Sequence, residues 1–209
     1  SYGYGCNEFV FERVAPSGTV VESRIPGGSS LTRRFGRRVL PPFSERDGGL
    51  VGALSEIVTT KGGESLWLFH DGRLIGTAAL TEDGLVRLPQ EATGQGRQLF
   101  HVVAGQLREP DAPFARSSGR MWLCNVKDLE PLADNSEAPS RSPVFLLQNA
   151  EQLPRPHSIH AEIVKLGDGR FSHWGHHIHF APRGDGDPNT SGDRFVLFVA
   201  GLDDRDEQS

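Results

Sequence analysis

The chain has little cysteine: Cys6 and Cys124 are the only two in 209 residues. Two thiols are too few for a disulfide scaffold, and their spacing matches no metal finger, so a reducing compartment is expected. Lysine is equally scarce, with three residues against nineteen arginines. That bias suits planar, bidentate recognition of phosphate or carboxylate, although a GC-rich genome produces the same bias. No apolar run approaches the length of a membrane span, and no signal peptide is visible, so the reading from sequence is a soluble, cytoplasmic protein with no membrane partner. The net charge of −5 argues against a protein that coats nucleic acid non-specifically, because that affinity comes from neutralising many phosphates. P-loop, dinucleotide-fingerprint, G-x-S-x-G and HExxH motifs are all absent.

Glycine (25) and proline (14) are plentiful and point to short elements joined by many turns. An α+β fold in a single domain, residues 1–209, is expected. Residues 8–14 alternate apolar and polar as a strand does, and Ser17-Gly18 turns the chain into a second strand. The stretch 26–42 reads as an irregular excursion. From Gly49 to Thr60 the apolar residues recur at helical spacing, with Ser44 or Asp47 as cap and Gly62-Gly63 as terminator, which predicts a helix. In LWLFHDGRLIGTAAL the Asp71-Gly72 turn sets His70 opposite Arg73, Phe69 opposite Leu74 and Trp67 opposite Gly76. Residues 97–107 fit helix or strand. Arg120–Val126, Val144–Leu147 and Arg194–Leu202 read as strands, and an acidic tail covers 203–209.

Several of these pieces occur in a telling order. Gly72, Gly76 and Ala78 stand in the Leu66–Leu80 unit. Trp122 precedes the turn Asp128-Leu129-Glu130-Pro131. Pro143, Val144, Gln148 and Glu151 follow a loop. This order resembles the PUA-like superfamily, most specifically its YTH and EVE domains, over roughly residues 8–155. The resemblance implies a small twisted PUA-like β-barrel with flanking helices, here with an added C-terminal hairpin and closing strand over 156–202. It further implies a pocket for a flipped or unpaired modified base in DNA or RNA, walled by aromatic rings because a base offers two π faces.

By position Trp122 is the wall candidate; Trp67, Phe35 and Asn125 complete the candidate base-binding set, and a core role for either tryptophan remains open. The early pocket tryptophan of the YTH pattern is missing, with Phe35 or Phe43 nearest its place, so the looser EVE-like pocket is the better match. Arg33, Arg34, Arg37 and Arg38 flank Phe35 and suit the gripping of phosphates, or form an ordinary solvated face. On this reading the protein is a module that recognises a modified base, methylated by expectation, without a cofactor, and is the specificity part of a restriction or defence system with other domains or subunits as partners.

Six of the eight histidines fall between residues 157 and 179. Read as a hairpin around Gly167-Asp168-Gly169, this segment splits them between two faces. A bulge at Gly175 would bring His160, Glu162, His177 and His179 to one face as a ligand set for zinc, iron or manganese in a metal-dependent enzyme. The alternative is a polar hairpin face. The acidic, glycine-rich 184–193 stretch lacks the spacing and terminal glutamate of a calcium loop.

Overall fold

The computed structural model describes residues 11–14, 20–23, 30–46, 49–55, 65–70, 72–88 and 100–201. Strands dominate. They are β1 (Phe11–Val14), β2 (Val20–Ser23), β3 (Arg37–Arg46), β4 (Gly49–Leu54), β5 (Ser65–His70), β6 (Arg73–Thr77), β7 (Ala79–Leu80) and β8 (Val86–Leu88). The second half supplies β9 (Phe100–Arg108), β10 (Ala115–Ser118), β11 (Met121–Asn125), β12 (Val144–Gln148), β13 (Glu151–Gln152), β14 (Phe171–Trp174), β15 (His177–Phe180) and β16 (Phe195–Ala200). Two short helices, α1 (Ser30–Phe35) and α2 (His160–Leu166), stand among them.

Three sheets result: the β1–β2 hairpin, a four-stranded sheet in the order β10-β11-β15-β14, and a ten-stranded sheet. In the last, β16 pairs with both β12 and β9, so β9-β5-β6-β13-β12-β16 closes into a ring, and β3, β4, β8 and β7 extend from β9 as an arm. The ring closes where β9 and β16 cross at Gly105, opposite Ala200. A Cβ there would meet the Val199 carbonyl oxygen at 2.5 Å and Phe198 Cζ at 2.8 Å. Because one of those neighbours is backbone, Gly105→Ala is expected to cost about 1–3 kcal/mol by overpacking. Gly186→Ala, where nothing lies within 4 Å of the added carbon, is the neutral control in the same urea titration.

The main core lies between the ring and one face of the four-stranded sheet. Trp122, Cys124, Ile178, Phe180 and Phe171 from that face meet Phe69, Val103, Phe145, Leu147 and Phe198 from the ring. Phe114, Phe180 and Phe195 form an aromatic trio with centroids 5.2–5.5 Å apart, Phe114 edge-to-face with the other two. A smaller core of Val39, Leu68, Val86, Leu88, Phe100 and Val102 joins the arm to β5 and β9. On β5, Leu68 and Phe69 therefore serve opposite cores, as strand alternation requires.

The first hairpin forms with Val14 opposite Val20. The β5–β6 hairpin has His70 opposite Arg73 and Phe69 opposite Leu74, as expected. Beyond them Ile75 is an extra residue, so Gly76 faces Leu68 and Trp67 faces Thr77 rather than Gly76. Trp67 instead donates its indole N–H to the Gly105 carbonyl, 3.0 Å away.

Three expectations are corrected. Residues 49–54 are a strand, not the start of a helix: Gly49 and Gly52 are poor helix formers, and β3 and β8 supply ladder partners on both sides. The helical pattern leaned on Ile57 and Val58, which with Asp47 and Gly62-Gly63 lie outside the described residues. The excursion at 26–42 contains α1 and the start of β3, whose register shift between Leu40 and Ser44 accommodates Pro41-Pro42 without a missing ladder donor. Residues 160–166 form α2 rather than a strand. Glu162 stands in the first turn and Lys165 in the last, and Gly167 at φ 61 ends the helix by donating to the Ile163 carbonyl. The ambiguous 97–107 stretch is the strand β9 from Phe100 onward. No helix among the described residues is long and apolar enough to cross a membrane.

Candidate functional site

The outer face of the four-stranded sheet follows from its register. Leu123 stands opposite His179, Asn125 opposite His177, Ser172 opposite His179 and Trp174 opposite His177. Their alternate neighbours Trp122, Cys124, Ile178 and His173 point into the core. Helix α2 covers one end of the outer face, burying Ile163 against Met121 and Ala181. The other end stays open.

There the hairpin turns at Gly175, with φ 56, so Gly175 is the bend of β14–β15 and not a bulge within a longer strand. The open end carries a row of rings. His160, from the first turn of α2, stacks on His179 with centroids 3.9 Å apart. His179 meets His177 at 5.9 Å, and His177 meets His176 at 4.0 Å. Trp174, 43% exposed, presents its indole edge-to-face to His160 at 6.3 Å. Asn125 is exposed across the ladder from His177, and the exposed Lys127 follows two residues later.

Burial pushes His179 down to about 4, and the neighbouring imidazoles add to it. His160 is lowered by burial, and His177 by burial and then by His176. Near neutral pH His160, His177 and His179 are therefore uncharged π surfaces, whose cationic form appears only in acid.

The structure brings together three of the four residues expected to form a metal set. His160, His177 and His179 share the face, but in a row with His179 between the other two. Stacked imidazoles direct their in-plane lone pairs side by side rather than at one point, which is the wrong arrangement for tetrahedral ligation. Glu162 turns to Arg170, 4.0 Å away. Among the described residues no three histidine, cysteine, aspartate or glutamate side chains are grouped to hold an ion.

The candidate base-binding residues separate. Trp122 is 6% exposed, packed in the main core with the Arg116 guanidinium 5.6 Å from its ring, so its faces are taken. Trp67 is half-buried on β5, and Phe35 meets Phe145 edge-on at 5.8 Å. Only Asn125 of the four lies on the open face. In the arginine run, Arg34 donates to the carbonyls of Ser140 and Arg141 at 2.7 and 3.2 Å and thereby ties α1 to the loop before β12. Arg37 is half-buried in β3. The side chains of Arg33, Arg38 and Phe43 lie outside the described residues. In the 184–193 loop, Asp193 accepts from Gln148 and Asn149, and Asn189 is bonded to the Phe114 backbone, so these groups fasten the loop.

Behind the open face lies a polar network that the sequence does not signal. Asp134, buried, accepts from the Ser142 N–H at 2.9 Å on one oxygen and from His157 Nδ1 at 2.7 Å on the other. The buried Ser142 hydroxyl accepts from the Val144 N–H and shares a hydrogen bond with His173 Nδ1, 2.8 Å away. His173 Nε2 has no partner, and burial pushes this imidazole down to about 4. Serine, histidine and aspartate thus meet with the connectivity wrong for acyl transfer: the carboxylate holds one imidazole and the serine bonds the other. Only contact between segments far apart in the chain reveals the set. No family model, curated protein or solved structure matches this chain.

Proposed function

We propose that the protein is a nucleic-acid-binding module that holds an unpaired base, modified in its natural target, on the open face of the four-stranded sheet. Trp174 carries the reading: an exposed indole at the end of a row of imidazole rings is a stacking platform, and large aromatic side chains are seldom left open without a partner. Asn125 supplies both a donor and an acceptor beside His177, suited to the edge of a base. The order of motifs that resembles PUA-like YTH and EVE domains supports the same ligand class. A strand-rich fold with a closed ring of strands is compatible with that superfamily, and recognition within a restriction or defence system would follow from it.

The site so proposed differs from one walled by Trp122. Intrinsic fluorescence titration with single-stranded DNA and RNA oligonucleotides, plain and methylated, at low salt is the test. Trp174→Ala is expected to weaken binding by roughly 10- to 100-fold, the range for one lost base–aromatic stack. No binding to any oligonucleotide would refute the module, and binding untouched by Trp174→Ala would remove it from this face.

A further inference from the structure

Base stacking leaves the second cluster unused. Its His157 is held at φ 56, a left-handed backbone that a residue other than glycine adopts at some cost and that is enriched at functional sites. Its Nδ1 is bound to a buried carboxylate, which fixes the tautomer with the proton on Nδ1 and a lone pair on Nε2. That Nε2 has no protein partner and is not sealed, since the side chain is 17% exposed. An imidazole so oriented is built to accept a proton. Two residues earlier, the exposed Arg155 has no ion pair or side-chain hydrogen bond and is available to an anion.

Ser142 and Cys124 are fully buried, and the Ser158 hydroxyl next to His157 is engaged with the Arg155 carbonyl at 2.9 Å. A base and a guanidinium suffice for a substrate that carries its own hydroxyl next to a phosphodiester. RNA is that substrate.

We infer that Asp134 and His157 form a general-base pair with which the chain cleaves single-stranded RNA, Arg155 contacting the phosphate. His157 Nε2 takes the proton of a ribose 2′-hydroxyl, a bond forms between O2′ and phosphorus, and the bond from phosphorus to O5′ breaks. The departing O5′ takes a proton from water and the hydroxide so formed takes back the proton on His157 Nε2, leaving a 2′,3′-cyclic phosphate, a 5′-hydroxyl and the neutral imidazole, with no change of oxidation state. Asp134 is a positioning residue: it holds the ring. The inference rests on the proposed binding of nucleic acid in so far as an RNA strand must reach the protein.

The experiment incubates the full chain with an end-labelled single-stranded RNA in EDTA, beside the same sequence as DNA, and measures binding separately with the uncleavable 2′-O-methyl RNA. Cleavage of RNA alone, with cyclic-phosphate ends, is expected. His157→Asn, which tolerates the left-handed backbone, should slow it at least about 100-fold, and Asp134→Asn should lower kcat with KM unchanged, each variant first checked for a native circular dichroism spectrum. Intact RNA, equal cleavage by His157→Asn, or equal cleavage of DNA would each overturn the assignment. Binding of 2′-O-methyl RNA without cleavage of RNA would sink this inference and leave the binding module standing; loss of both would remove both.

Discussion

Trp122→Ala is expected to destabilise the fold by about 3–5 kcal/mol, the range for emptying a buried aromatic site. The indole is 6% exposed and sits in the core that joins the four-stranded sheet to the ring. Its cross-strand neighbour Phe180 belongs to the aromatic trio with Phe114 and Phe195, so a void beside it also loosens those rings. Because folded domains have only about 5–15 kcal/mol to lose, the variant should unfold at a markedly lower urea concentration and temperature. Any loss of oligonucleotide binding in Trp122→Ala would then follow its unfolding, and should vanish where the variant is still folded. Urea titration of Trp122→Ala and Trp122→Phe decides it. Phenylalanine should recover more than half of the loss, and an alanine variant within about 1 kcal/mol of wild type would show that the indole is not a core residue.

The second large effect is acid lability centred on His173. Its folded value is pushed from 6.5 to about 4, first by burial, with the Asp134 charge working in the opposite direction and His157 adding to the depression. A histidine depressed in the native state binds its proton preferentially when unfolded. Its contribution to stability is therefore complete above 6.5 and is lost as pH falls from there through 4. At pH 5 the loss from this residue alone is of the order of 2 kcal/mol. His179 acts in the same direction, with a smaller effect because solvent reaches its ring. The urea midpoint should accordingly be flat from pH 8 to about 7 and fall steeply by pH 5. His173→Gln should lower it at neutral pH and flatten the fall. A wild-type midpoint unchanged between pH 7 and 5 would show that His173 is not held neutral by burial.

Local chemistry was well marked in the sequence. The Asp71-Gly72 turn fixed the first two pairs of the β5–β6 hairpin, and the apolar runs at 121–125, 144–148 and 195–200 are strands. What failed depended on choices between similar periodicities. Residues 49–54 and 160–166 each carry apolar residues at spacings that fit helix or strand, and the deciding factors were ladder partners for the first and a glycine C-terminus for the second. The importance of the histidine segment was legible, but its geometry was not. His160 reaches His179 from a helix, and it makes a stack in a row instead of a ligand cage. Asp134, Ser142, His157 and His173 carry no common motif, because the loop before β12, the turn before α2 and β14 meet only after the core has formed.

The pairing of Ala200 with Gly105 and of Leu197 with Arg108 sets an order of events during synthesis. Strand β9 can pair with β3 and β5 as soon as these have left the ribosome, since both precede it in the chain. Its last four residues, Gly105–Arg108, lie beyond the β3 pairs at His101 and Val102 on the same edge and must wait until β16 has emerged. Long-range pairing of this kind carries a high loop-closure entropy and forms slowly. In that interval the nascent chain displays an unpaired strand edge at 105–108, the kind of edge that invites pairing with another chain.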